Sequence, residues 1–203
     1  MKRKVLMMVF AGLLLIAPGA FAAPMVGSYV EFADSYGSTG GGEFAMYEYV
    51  AGPGVGTQYP NTFCVETREY LDFVSPFYVN AYETPYGGTA WLYWQFATGV
   101  LANYDYTTPA LRVGDADALQ QAIWFFQGQP GGVDNAYAAL AVSNSAQWGT
   151  ALQNVVILDL LYIQRGGPLA QDVLALVDPV PEPTTLLLLG LGLIGVAGLR
   201  RKM

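Results

Sequence analysis

The 203-residue chain has no histidine and a single cysteine, Cys64. The first absence removes His-based metal sites, Ser-His-Asp triads and Cys-His dyads, and the second removes intramolecular disulfides. Lysine is missing from residue 5 to residue 199. Charged residues make up 12% of the chain against 53% hydrophobic ones, which is too apolar for an ordinary soluble domain. No period of 20 to 50 residues repeats, and the length leaves room for one domain once targeting segments are set aside.

The charge that is present is unevenly laid out. Lys2, Arg3, Lys4, Arg200, Arg201 and Lys202 sit at the two ends, while all 16 acids lie between Glu31 and Glu182. Arg68, Arg112 and Arg165 alone set against those 16 acids leave the interior at −13, so it repels phosphate backbones. Nucleic acid is excluded as a partner.

The N-terminus combines a basic stretch (residues 1–4), an apolar run (5–16), a Pro18-Gly19 break and the small-residue pattern Ala20-Phe21-Ala22. This is the layout of a secretory signal peptide over residues 1–22, cut after Ala22. At the other end, Pro181-Glu182-Pro183 precedes Thr184-Thr185, an apolar run over 186–199 and a terminal Arg-Arg-Lys cluster. The 14 apolar residues of that run rise about 21 Å as a helix, short of the roughly 30 Å hydrocarbon core, so a segment over 184–199 spans only a thinned bilayer. By the positive-inside rule the terminal basic cluster stays cytoplasmic and the acidic middle lies outside.

Residues 180–203 resemble the PEP-CTERM sorting signal of Gram-negative bacteria: a Pro-Glu-Pro motif, a short Gly-rich apolar helix and a terminal basic cluster. The resemblance implies processing by an exosortase-type enzyme, a transient anchor in the inner membrane, and delivery to the cell surface or extracellular polysaccharide matrix.

Between the two signals, residues 23–179 are expected to form one β-rich α+β domain with two or three short helices, joined to the C-terminal membrane helix. Alternating patterns at 26–36 and 43–50 predict a hairpin, with further strands at 61–66 and 77–82. Thr89 is the expected cap of a buried helix through Trp91, Trp94 and Leu101. Asp115 or Asp117 is expected to open a second helix through Phe126, and 134–140 a third. Residues 155–163 and 172–177 read as a closing hairpin.

The lone cysteine of an exported domain is a buried thiol, an intermolecular bridge or a reactive group. It lies in Thr62-Phe63-Cys64-Val65-Glu66, and a helical segment further on reads Leu119-Gln120-Gln121-Ala122-Ile123-Trp124. These two patches resemble the thioester domains of bacterial surface adhesins, in which an aromatic-Cys-aliphatic-acid strand faces a Gln-x-Ala-Ile-Trp helix. The resemblance implies an internal thioester between Cys64 and Gln120, with Phe63, Glu66 and Trp124 around it, opened by an extracellular polysaccharide or another surface nucleophile. Thiolate chemistry suits this because sulfur is both a strong nucleophile and a good leaving group. The family's helix usually has Thr before the Gln; Leu119 stands there in this chain, and Gln121 is a competing amide.

The alternative is that Cys64 is an inert core residue and Gln120 a helix-surface residue, in a structural or carbohydrate-binding matrix protein. Glu66, Glu69 and Asp72 form a weaker carboxylate candidate whose spacing defines neither acid-base roles nor a calcium loop. Of the tryptophans, Trp91, Trp94 and Trp124 read as core, and Trp148 is open to either core or sugar stacking. No turnover enzyme, metal or cofactor is expected.

Overall fold

In the computed structural model, the structure describes residues 23–38, 41–51, 56–163 and 166–177. The expected signal peptide with Ala22, the Pro181-Glu182-Pro183 motif and the expected membrane segment 184–199 lie outside them. Among the described residues, no helix is long and apolar enough to cross a membrane.

Five strands form one antiparallel sheet in the order β2-β1-β3-β4-β5. They are β1 (Tyr29–Tyr36), β2 (Glu43–Glu48), β3 (Phe77–Glu83), β4 (Val155–Tyr162) and β5 (Leu169–Leu176). The hairpin expected near the start is β1–β2, with Phe32 opposite Met46, and the closing hairpin is β4–β5, with Leu158 opposite Val173. The period-2 alternation puts Val30, Phe32, Met46, Phe77, Val79, Leu158, Leu160 and Val173 into one buried cluster.

The strand expected over 61–66 is instead a connector that serves both edges of the sheet. Thr62 exchanges main-chain hydrogen bonds with Phe44 of β2, and Gln58 bridges Tyr47. Three residues on, Val65 N–H donates to Asp172 C=O of β5, and Leu174 N–H donates to Phe63 C=O. The 57–65 segment thereby joins the outer edges of β2 and β5, closing the sheet into a small barrel around that cluster. A run that must pair on both sides in turn offers too few consecutive bonds to one partner to form a strand of its own.

The helices form a second layer outside the barrel. They are α1 (Gly87–Ala97), α2 (Pro109–Phe126), α3 (Ala136–Ser143) and α4 (Trp148–Ala151), the last preceded by a 3-10 turn at Ser145–Gln147. Their core contains Trp91, Leu92, Leu119 and Ile123, and it packs on Phe63, Val65, Ile157 and Leu174. Two or three short helices were expected; four are present among the described residues, and α2 has 18 residues. Thr89 is not the cap of α1, which starts at Gly87, so its hydroxyl is buried inside the first turn. Nor do Asp115 and Asp117 open α2: Pro109 does, because its fixed φ suits the first helical position. Asn135 caps α3, its side chain accepting from Tyr137 N–H and Ala138 N–H.

Candidate functional site

Cys64 lies between Phe63 and Val65, which join the helical core, and is itself fully buried in the barrel cluster. Its bridge to Val173 leaves its own N–H and C=O pointing away from β5, towards the edge where β2 starts. There β2 is preceded by Gly41 and Gly42, and α2 passes over the gap. The Gln120 side chain enters it: Cys64 N–H donates to Gln120 Oε1 at 3.1 Å, and Gln120 Nε2 donates to Cys64 C=O at 2.7 Å.

Two residues 56 positions apart in the chain are thus in direct contact, and both are fully buried. Gln120 is not a helix-surface residue. Gln121, the competing amide, is only half-buried, and its carbonyl accepts from Val133 N–H. Trp124, one turn beyond Gln120 on α2, is 7% exposed. Gly41 closes the site: a Cβ there would stand 2.4 Å from Trp124 Cζ2 and 3.3 Å from Gln120 Cδ. Phe63 packs edge-on against Phe96 at 5.0 Å in the helical core.

Glu66 turns away from the pair. Its carboxylate accepts from Asp172 N–H at 2.6 Å and faces a cavity of about 500 Å³ shared with Glu69, Glu83, Asp159 and Asp172. Burial, reinforced by its carboxylate neighbours, raises Glu66 to about 7, and burial with the Glu66 charge raises Asp172 to about 8. The Cys64 thiol is pushed well above its usual value by burial first, then by Glu66 and Asp172. Asp72 lies elsewhere, accepting from Val74 N–H and Ser75 N–H to hold its own turn. Among the described residues, no group of three or more acids or cysteine is arranged to hold a metal ion.

One device gave no sequence signal. Glu43 is fully buried, although β2 begins with it and the alternation there reads as an ordinary edge. It accepts from Arg112 Nε at 2.9 Å, from Arg112 Nη2, from Tyr104 OH at 2.6 Å and from Asn61 Nδ2. Arg112 is on α2 two turns before Gln120, and Asn61 is three residues before Cys64, so one carboxylate ties together the two elements that carry the pair. The guanidinium also lies 4.4 Å above the Tyr36 ring. Trp148, left open by the sequence, is a packing residue: its Nε1 donates to Ala141 C=O at 3.0 Å and its ring meets Phe126 edge-on.

No curated protein and no solved structure matches the chain. The profile of the PEP-CTERM protein-sorting motif matches residues 179–202, which marks the chain as an exported, exosortase-sorted protein with a transient membrane anchor.

Proposed function

We propose that the exported domain is an adhesive module that stores one acyl electrophile, a thioester between Cys64 Sγ and Gln120 Cδ. The observation that carries this reading is the hold on the Gln120 carboxamide, whose nitrogen and oxygen are both bonded by the main chain of the only cysteine. In the condensation the sulfur adds to Cδ, the C–N bond breaks, and the thiol proton leaves with the nitrogen as ammonia. An amine or hydroxyl on an outside surface then adds to Cδ, the C–S bond breaks, and the proton given up by the nucleophile restores the thiol. Each molecule reacts once, so the module is not a turnover enzyme. Trp124 and Gly41 support the reading because they cover the carboxamide and keep out hydrolytic water. The target fits a polysaccharide or other nucleophile of the Gram-negative cell surface or matrix, where exosortase sorting delivers the protein.

Intact mass tests this. The folded protein should weigh one ammonia less than its processed sequence and resist thiol reagents until methylamine opens the bond. Cys64→Ala and Gln120→Ala should abolish the deficit, and Gln121→Ala should keep it. A wild-type protein of full mass overturns the reading.

A second reading has its own support. Cys64 N–H and C=O would be unpaired just before β2 starts, and the Gln120 amide fills both needs. On that reading the cysteine is inert, the pair is a structural plug, and the domain is a structural or carbohydrate-binding matrix protein. Full mass with a thiol that titrates only after unfolding is its expected result.

A further inference from the structure

Trp124 Nε1 is a buried hydrogen-bond donor with no partner among the described residues. Buried donors are almost always satisfied, and an exception calls for a physical reason. The ring lies between two glycines. A Cβ on Gly131 would stand 3.5 Å from Trp124 Cε3, and one on Gly41 would stand 2.4 Å from Cζ2 on the opposite edge. The ring atoms that meet Gly41 are Cζ2 and Cη2, and Nε1 stands two bonds from Cζ2, next to that contact. The same point on Gly41 is 3.3 Å from Gln120 Cδ, the carbon at which acyl transfer would occur.

We infer that Trp124 is a catalytic residue whose indole N–H stabilises the acyl oxygen of Gln120 when a nucleophile adds to Cδ. The inference rests on the thioester reading and adds to it the donor that the reaction needs. In the free amide, Cys64 N–H is the one donor to Gln120 Oε1 among the described residues. As Sγ adds, the carbonyl electron pair moves onto Oε1 and the carbon becomes tetrahedral. The oxygen then swings out of the amide plane as an anion and takes up a second donor. Collapse of this adduct breaks C–N on formation and C–S on opening, so one oxyanion site serves both directions. A donor idle in the ground state and engaged in the transition state lowers the barrier, because it stabilises only the latter.

The test compares wild type with Trp124→Phe, and with a protein carrying 3-benzothienylalanine at position 124, which keeps the bicyclic shape and replaces N–H by sulfur. Methylamine opening is followed by intact mass in the full chain, with thermal melting as the control for packing. Losing one oxyanion donor should slow opening by about 10²- to 10³-fold in both variants with melting unchanged. Opening at the wild-type rate in the benzothienyl protein overturns the assignment while leaving the thioester intact. A wild-type protein of full mass overturns both together. If Trp124→Phe fails to fold, the benzothienyl protein alone decides.

Discussion

Replacing Arg112 by methionine should destabilise this domain more than almost any other single change outside the hydrophobic core. Glu43 has no solvent exposure and Arg112 has 17% at the side chain. The substitution keeps much of the aliphatic stem against Tyr36 but removes two charge-assisted bonds from a buried carboxylate. Breaking a buried pair from one side costs about 3–5 kcal/mol. Tyr104 OH and Asn61 Nδ2 still donate, which places the expected loss near about 3 kcal/mol, a large share of the 5–15 kcal/mol typical of a domain. For a domain of this size that lowers the melting temperature by roughly 6–12 °C. Urea unfolding of Arg112→Met, Glu43→Gln and the double variant forms the appropriate cycle. The double variant should be more stable than Arg112→Met, because it no longer strands a charge. A loss below about 1 kcal/mol for Arg112→Met, the value of an exposed pair, would refute the claim that Glu43 is sealed from water. Because Glu43 joins α2 to Asn61, the fraction of wild-type-like mass deficit should fall in the same variant if the thioester forms.

The remaining predictions contrast sites whose environments differ in sign. Gly41→Ala forces a methyl to 2.4 Å from the Trp124 ring, an overpacking worth about 1–3 kcal/mol of stability, whereas Gly114→Ala on α2 meets nothing within 4 Å and should gain about 0.5–1 kcal/mol. Equal melting of the two variants would show that α2 does not press on the Gly41 turn. Glu66 and Asp172 predict a stability that falls with rising pH. Both keep their protons in the folded state, at about 7 and about 8, whereas the unfolded chain releases them near about pH 4. Their penalty is absent in acid, grows between about pH 4 and pH 8, and is complete above that, with a slope of at most about 1.4 kcal/mol per pH unit for each proton. Denaturation at pH 5 and pH 8 should show this loss, and Asp172→Asn should reduce it; stability that rises over that interval would contradict the burial of the pair.

How much of this was legible in the sequence depends on whether a feature is local. The β1–β2 hairpin announces itself through alternation, the β4–β5 hairpin through two strand-like runs about a glycine turn, α1 through apolar residues on every side and α2 through the helical spacing of Leu119, Ile123 and Phe126, because each pattern is local in the chain. The start of α2 was missed because the acids at 115 and 117 looked like a first turn. Asp117 in fact accepts from Ser38 N–H, and Asp115 from Asp105 N–H, so both are spent on tertiary contacts. Glu43 was invisible for a related reason: its partners are 18, 61 and 69 residues away, and nothing at its own position distinguishes it from a surface acid.

The Cys64–Gln120 pair is the instructive middle case. A resemblance of two short patches suggested it, but the physical reason for the contact lies in a third patch that carried no chemical signal. A strand continuing backward from Glu43 would bring backbone groups to the edge of Cys64 and satisfy its N–H and C=O. Gly41 and Gly42 do not provide that pairing; Gly41 instead brings main chain so close to α2 that a side chain there would collide with Trp124. The unfilled places in the ladder are then taken by a side-chain amide from α2, the group whose shape and polarity most nearly copy a peptide unit. The residue whose main chain takes up the Gln120 carboxamide is the lone cysteine, so the amide carbon is held beside the backbone of the one residue in the chain that carries a thiol. The plug and the proposed reactive bond therefore require the same gap, and both predict that Gln120→Ala lowers the melting temperature; the wild-type mass separates them, because one ammonia missing is chemistry, and full mass with a thiol that titrates only after unfolding is the plug.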